Sequence, residues 1–448
     1  MSSFKRSIED ASLNGFHKKL AFSTSGSPFL DGYVLSIIGV IMTHLSTALQ
    51  TNLFWEGLIA ASALIGLFFG GFLGGWFTDR YGRKLLYVID IVVIIAISIA
   101  QFWVDSAWLL FVFRLLIGVV VGADLPIATS LLAEFLPRKA RGPLLASMVV
   151  MWFVGAALAY AVGEFLMRVG GPDAWRWVLA SAAVPGLLLF IPRMLTPESP
   201  RWLISKGRIA EADAILKSIY GPGYCSRDLP EPASKQKVSV ASLFHSGYGK
   251  RMLFVTLFWT CSIVPLFAIY AFAPKVLQAL KLSEDMASAG SIAITVLFVV
   301  GCLAATRVIN SMGRRPMVIH SLLWSGVALA ALGLFPDAAP GVVLFLFGAY
   351  AFVIGGAQVL QYVYPNELFP TEIRASGVGL ATSLSRIGAA AGTYLVPISL
   401  ASLGIGPTML AAAAISLLGA LASWWLAPET AKLDLQQASA LDPCAAAR

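Results

Sequence analysis

Charge is scarce in this sequence. Aspartate, glutamate, lysine and arginine make up 12% of its 448 residues, against roughly 25% in a soluble domain. Too few charges remain to cover a water-facing surface, which argues against a soluble enzyme and for a largely lipid medium. Cysteine is sparse as well. Cys225, Cys261, Cys302 and Cys444 lie far apart, without CxxC or other metal-ligand spacing, so neither a disulfide framework nor a metal site is expected. The sequence carries no nucleophile elbow, phosphate-cradling loop, metal cluster or ATPase signature. Energy for any work must then come from an ion gradient or from the solute's own gradient, and no organic cofactor is expected. No cleavable signal peptide is expected either. Lys5, Arg6, Lys18 and Lys19 precede a full-length apolar span that no small-residue cleavage pattern follows.

Hydrophobicity is what the chain has in abundance, at 58% of residues. A helix needs about 20 apolar residues to cross the hydrocarbon core. Such runs recur near 24–46, 57–78, 85–104, 107–132, 143–167, 175–195, 252–276, 288–309, 316–335, 341–364, 375–400 and 407–427. These predict an all-α integral membrane protein of twelve transmembrane helices, with both termini on one side. Of the 32 lysines and arginines, 25 fall in the termini or in loops on their side. Only Arg168, Arg176, Lys275 and Lys281 fall on the other side, and Arg114, Arg307 and Arg386 lie within or at the edge of spans. Cytoplasmic loops are enriched in these residues. The expectation is therefore a multi-pass protein of the cytoplasmic (inner) membrane with both termini cytoplasmic. The net charge of +8 belongs to this asymmetry and implies no nucleic acid partner.

The polar stretch 196–250 divides the spans six and six. Its first part, 200–220, reads as an amphipathic interfacial helix, and the Gly- and Pro-rich remainder as linker. The expected organisation is a bundle over 1–195, interfacial helices and linker over 196–250, a second bundle over 251–430 and a short cytoplasmic tail over 431–448. Three signatures occur twice in near register. "DRYGRK" at Asp79–Lys84 matches "NSMGRR" at Asn310–Arg315. Glu134, Pro137 and Arg141 match Glu367, Pro370 and Arg374. "PES" at Pro197 matches "PET" at Pro428. The two six-helix bundles are thus expected to be pseudo-symmetric about an axis along the membrane normal, rocking about a site between them near the midplane.

These motifs resemble those of the major facilitator superfamily. "GGWFTDRYGRK" after the second span is similar to its loop signature, and "RLLIGVVVGAD" to its arginine-and-glycine motif in the fourth. "PESPRWL" and "ELFPTEIRA" narrow the resemblance to the sugar-porter-like branch, which includes metabolite:proton symporters. "GSPFLDGYVLSIIG" and "LSRIGAAAGTYLVP" are most similar to its bacterial inner-membrane metabolite transporters. The likeness runs over about residues 20–430. It implies a monomeric, proton-coupled secondary transporter of a small molecule that works by alternating access in the lipid bilayer. There are departures. Asn310 stands where the first copy has Asp79, the tenth span lacks the tryptophan of hexose carriers, and Val34 sits where aromatic-acid symporters often carry a second acid.

Several polar residues fall inside spans, where they are costly and mark function. Asp31 lies near mid-depth of the first span. A carboxyl there can be tuned by burial and by a neighbouring cation, which suits a residue that gains a proton on one side and loses it on the other. Arg114 and Asp124 share the fourth span, with Gly118 and Gly122 leaving a bare stripe for close helix approach. The resemblance implies that Asp31, Arg114 and Asp124 form the proton-coupling group; a structural Arg114–Asp pair is the other reading. Arg386 in the eleventh span is expected to anchor an anionic substrate such as a carboxylate. Gln358, Gln361 and Tyr362, with Tyr364 beyond, could supply hydrogen bonds. Trp259, Phe267 and Tyr270 could supply an aromatic wall. A neutral sugar or polyol read by Gln358 and Gln361, and efflux in place of uptake, remain as alternatives. Asp79, Arg80, Gly82, Arg83, Glu134, Arg141, Glu198, Arg201, Glu367 and Arg374 sit at helix ends on the cytoplasmic side. They are expected to pair across helices as a gate. No role beyond local pairing is assigned to Asp90, Glu164 and His320.

Overall fold

The structure, a computed structural model, describes residues 11–229, 248–369, 371–431, 433 and 437–438. Its first bundle comprises α1 (Gly15–Ala48), α2 (Leu53–Tyr81), α3 (Arg83–Ala100), α4 (Ala107–Phe135), α5 (Arg138–Gly170), α6 (Trp175–Ala180) and α7 (Ala183–Met194). Two short helices follow, α8 (Pro200–Ser205) and α9 (Ile209–Tyr220). The second bundle comprises α10 (Gly249–Ala279), α11 (Glu284–Met312), α12 (Arg314–Leu334), α13 (Pro340–Leu368), α14 (Thr371–Ser402) and α15 (Ile405–Leu426).

Twelve passes result among the described residues. Eleven segments are long and apolar enough to cross a membrane. The twelfth, α14, has the length at 32 residues but is diluted by Gly, Ser, Thr and Arg386. The sixth pass runs over Pro172–Met194 as two helical pieces. Pro185 explains the break: it lacks an N–H to donate to the carbonyl four residues back, at Ser181, and its ring crowds that position. Short caps set the helix starts, with Asn14, Asn52, Ser106 and Ser283 accepting from backbone N–H groups of the first turn.

Close helix approach follows the small residues. A Cβ on Gly118 would lie 2.1 Å from the Ala63 carbonyl oxygen, and one on Gly122 would lie 2.6 Å from that of Leu67. The stripe read on the fourth span therefore seats α4 against α2. Interfacial α9 docks on the first bundle, where Asn14 Nδ2 donates to Ile219 O at 2.7 Å and the Tyr220 hydroxyl donates to Phe135 O at 2.5 Å.

The halves meet most tightly on the face opposite the termini. Pro274 cannot donate to the Tyr270 carbonyl, and α10 is non-helical at Phe272 (φ −137, ψ 19). The freed Tyr270 oxygen accepts from the Tyr160 hydroxyl of the first half at 2.5 Å. Gly39 of α1 packs against the same carbonyl, since a Cβ there would lie 2.0 Å from it. Toward the terminal face the halves part around a cavity of about 1050 Å³, lined in part by Phe29, Met151, Leu189, Thr306, Val359 and Glu367.

Candidate functional site

Asp31 lies deep in α1 and is 3% exposed. Its Oδ1 is buried without a hydrogen-bond partner. It interacts electrostatically with Asp124 and Arg193 of its own half and with Arg386 of the other. The midpoint placement expected from the sequence holds.

The structural Arg114–Asp pair is not among the ion pairs of the described residues. Arg114 is buried, and its Nη1 donates to Val34 O at 2.7 Å, with Nη2 reaching Leu35 O at 3.5 Å. It grips the main chain of α1. Ten residues of helix, roughly 15 Å of axial rise, keep it from Asp124 on the same helix. The cation on Asp124 is Arg193 of α7, whose Nη2 lies 2.7 Å from Asp124 Oδ2. Arg193 Nη1 lies 2.6 Å from Asp90 Oδ1 and donates to Tyr87 O at 3.1 Å. Ser27 accepts from Arg193 at 2.9 Å and donates to Asp124 Oδ1 at 3.1 Å. Sequence reasoning missed Arg193. It stands at the end of the sixth span beside the polar stretch, so it was counted with the loop charges. The signal was the apolar run 187–191 leading straight into it.

On the second half, Gln361 Nε2 donates to Ser262 Oγ at 2.8 Å and to Gln358 Oε1 at 2.9 Å, and Gln358 Nε2 donates to Ser262 O at 3.3 Å. Both glutamines are buried. Tyr270 forms the hub of an aromatic cluster that bridges the halves. Its ring lies 5.7 Å from Trp152, 6.3 Å from Phe153, 6.2 Å from Tyr160 and 5.2 Å from Phe298. Phe267 joins it, 5.9 Å from Trp152 and 5.7 Å from the Arg386 guanidinium. Trp259 is buried nearby in sequence, on the same helix. Trp152 and Tyr160 were not picked out from the sequence, because aromatics are frequent in every span. Tyr364 does not belong to this group, since its hydroxyl donates to Pro428 O. The Tyr362 side chain lies outside the described residues.

The helix ends on the terminal face form one constellation twice. In the first half Arg83 pairs with Glu134 at 2.8 Å, Glu198 accepts from the Arg83 and Lys84 backbone N–H groups at 3.0 and 3.2 Å, and Ser199 donates to Glu134. In the second half Arg314 pairs with Glu367 at 3.1 Å, Glu429 accepts from the Arg314 and Arg315 N–H groups at 3.0 and 3.1 Å, and Thr430 donates to Glu367 at 2.6 Å. Gly82 (φ 103) and Gly313 (φ 91) open α3 and α12 in a backbone conformation that favours glycine. Burial works against ionisation of Glu429, yet the backbone N–H donors of Arg314, Ala431, Arg315 and Thr430 hold its carboxyl below the usual glutamate range. Arg201 acts on Glu134 electrostatically, and Arg80 lies 5.6 Å from the Tyr81 ring. Each constellation stays within one half. The side chains of Asp79, Arg141 and Arg374 lie outside the described residues.

On the opposite face Glu56 of α2 and Lys275 of α10 pair between the halves at 2.6 Å. Lys275 reads from the sequence as a loop charge, but α10 continues past it. Glu164 pairs with Arg168 one turn on, at 2.7 Å, and His320 is exposed.

Residues 20–441 match the family described as sugar (and other) transporter. The metabolite transport protein YaaU of Escherichia coli (strain K12) is 43% identical over 435 residues, 97% of each chain. The inner membrane metabolite transport protein YgcS of the same organism is 38% identical over 428 residues, 96% of this chain and 95% of the relative. Its D-xylose-proton symporter is 26% identical over 443 residues, 91% and 90% of the two chains. The partially occluded inward open conformation of the xylose transporter XylE from E. coli matches with a TM-score of 0.80 at 23% identity, covering 93% of this chain and 99% of that one. That likeness shows the fold, the two six-helix bundles of the major facilitator type.

Proposed function

Because this chain belongs to the sugar (and other) transporter family, we propose that it is a proton-coupled carrier of a small polyhydroxylated metabolite, a sugar or polyol. It works by alternating access in the inner membrane with both termini in the cytoplasm, where the lysine and arginine bias puts them.

The observation that carries the solute class is the pairing of an aromatic cluster with amides. Trp152 meets Phe267 and Tyr270 edge-on between the halves, while Gln358 and Gln361 of α13 form a hydrogen-bonded group with Ser262, which shares α10 with Phe267 and Tyr270. Aromatic surface with a few placed polar groups suits a neutral ring that carries hydroxyls. Arg386 is reassigned. Its charge acts on Asp31 across the halves, alongside the larger pull of Arg193, so it is read as one of two cations that answer that acid, and the anion-anchor expectation is set aside. None of the relatives above is named for an anion, and one is named for D-xylose and protons.

Asp31 takes the coupling proton. A buried carboxylate oxygen without a donor costs more than its neutral form, and a neutral Asp31 no longer attracts Arg386 of the other half, which frees the two halves to rock. Differential affinity between the two facing states then drives the cycle.

The test uses purified protein in vesicles. A thermal-shift screen against sugars, polyols and organic acids identifies the class, and stabilisation by acids alone would sink the polyol reading. With a stabilising solute in hand, wild type concentrates it when the outside is acidified. Asp31→Asn keeps solute exchange at equal pH but loses proton-driven accumulation. Accumulation by Asp31→Asn would remove Asp31 from the coupling role.

A further inference from the structure

A second cavity, of about 680 Å³, lies among the helix ends of the terminal face, on the first half and the interfacial helices alone. Its walls include Tyr81 at the end of α2, Lys84 and Leu85 of α3, Met194 of α7, Trp202 of α8 and Arg208 just before α9. The transport cycle leaves it unused. From it two apolar stripes run along the outer flank of the bundle. Leu85, Ile89 and Val92 recur at helical spacing on α3, and Leu187, Ile191 and Met194 on α7, and all of them are exposed. The two helices lie side by side. Arg193 pairs with Asp90 near one end of the contact, and a Cβ on Gly186 would lie 2.7 Å from the Ile95 side chain further along. The stripes therefore share one flank and lead from the polar cavity into the hydrocarbon.

The charges around the cavity leave a positive excess. Both oxygens of Glu198 are occupied at the start of α3, accepting from the backbone N–H groups of Arg83 at 3.0 Å and Lys84 at 3.2 Å. The Lys84 side chain forms no ion pair among the described residues. Arg208 forks onto Glu211 at 2.7 and 2.6 Å, but both side chains are exposed, where such a pair is weak. Lys206 lies 5.7 Å from the Trp202 ring. Lys84, Lys206 and Arg208 thus stand against Glu211 alone. Tyr81 and Trp202 add amphipathic rings of the kind that sit at headgroup level.

We propose that this cavity binds the headgroup of an anionic glycerophospholipid from the leaflet on the terminal side. The phosphodiester sits between Lys84 and Arg208, and the acyl chains lie along the stripes of α3 and α7. Charge complementarity selects an anion. The stripes select a lipid over a free phosphate, which has nothing to lay on exposed apolar side chains. Lys84 belongs to α3, whereas Arg208 stands between α8 and α9, so a bound lipid ties the interfacial helices to the bundle. No covalent bond is made or broken. The site is independent of the solute carried and of the role of Asp31.

The test titrates the full-length protein in dodecyl maltoside with dioleoyl-phosphatidylglycerol, read by thermal shift and by native mass spectrometry. Wild type retains a single lipid molecule and melts at a higher temperature with it, and dioleoyl-phosphatidylcholine gives neither effect. Lys84→Gln and Arg208→Gln each lower the affinity about fivefold, and the double variant about 25-fold. Lys84→Arg keeps the binding. Lys281→Gln, which removes an exposed cation on the opposite face, leaves it unchanged. Melting without lipid checks that each variant folds. Equal stabilisation by the water-soluble headgroup glycerophosphoglycerol overturns the lipid assignment in favour of a free phosphodiester. Phosphatidylcholine bound as tightly, or a double variant that binds phosphatidylglycerol as wild type does, overturns the anion site itself.

Discussion

Lys275 of α10 reaches Glu56 of α2 at 2.6 Å, tying the second half to the first on the face away from the termini. Glu56 is nearly covered, with a side-chain exposure of 8% against 31% for Lys275. The contact exists only while that face is shut, so it biases the carrier toward the conformation seen here. Glu56→Gln should weaken the closure by about 1 kcal/mol, roughly fivefold in population. Hydrogen–deuterium exchange checks this: faster exchange is expected at the start of α2 and the end of α10, and the swapped pair Glu56→Lys with Lys275→Glu should slow it again.

Gly39 supplies an independent handle on the same closure. A methyl group there would meet the Tyr270 carbonyl oxygen at 2.0 Å and the Tyr160 hydroxyl at 2.4 Å. Neither the main chain of α10 nor the hydroxyl bonded to it can easily give way, so Gly39→Ala should cost about 1–3 kcal/mol in this conformation. Thermal unfolding should begin at a lower temperature than in wild type. Tyr160→Phe, which loses one hydrogen bond without adding volume, should cost about 1 kcal/mol.

The twin constellations on the terminal face predict twin effects. Glu198→Gln and Glu429→Gln each leave a helix N-terminus with a neutral acceptor, and each should lose about 1–2 kcal/mol. Equal losses in thermal melts would support the structural repeat, and a loss confined to one half would contradict it.

Acid should act through Glu429 in particular. Backbone donors hold its folded-state value below the usual 4.5. A carboxyl lowered on folding contributes stability that is complete above its unfolded value and fades as pH falls through the folded one. Wild type should therefore lose this contribution below about pH 4.5, and the difference in melting temperature between wild type and Glu429→Gln should narrow there.

The sequence is most legible where one residue type has one role. Apolar length is clear for eleven of the passes, α14 is the most diluted by polar residues, and charge asymmetry, which depends only on loop composition, agreed with an even count. The repeat of Gly82, Arg83, Glu134 and Glu198 in Gly313, Arg314, Glu367 and Glu429 anticipated the second constellation, because each glycine and each carboxylate answers a backbone requirement. Partnership was less legible. Arg114 and Asp124 share a helix and a motif, yet the choice of partner depends on which faces of α1, α3, α4 and α7 converge, and periodicity within one helix says nothing of that. Arg193 and Lys275 were hidden for a related reason. Both stand at span ends, where a charge ordinarily reaches water, and only the neighbouring helices reveal that Arg193 stays inside and that Lys275 turns toward Glu56 of the other half.

The hold of Arg114 on α1 has a consequence for which substitutions the chain can absorb. A guanidinium that grips the carbonyls of Val34 and Leu35 is indifferent to the side chains those residues carry. Position 34 is therefore free to exchange one apolar residue for another of similar size while the anchorage persists, whereas the arginine itself has no such latitude.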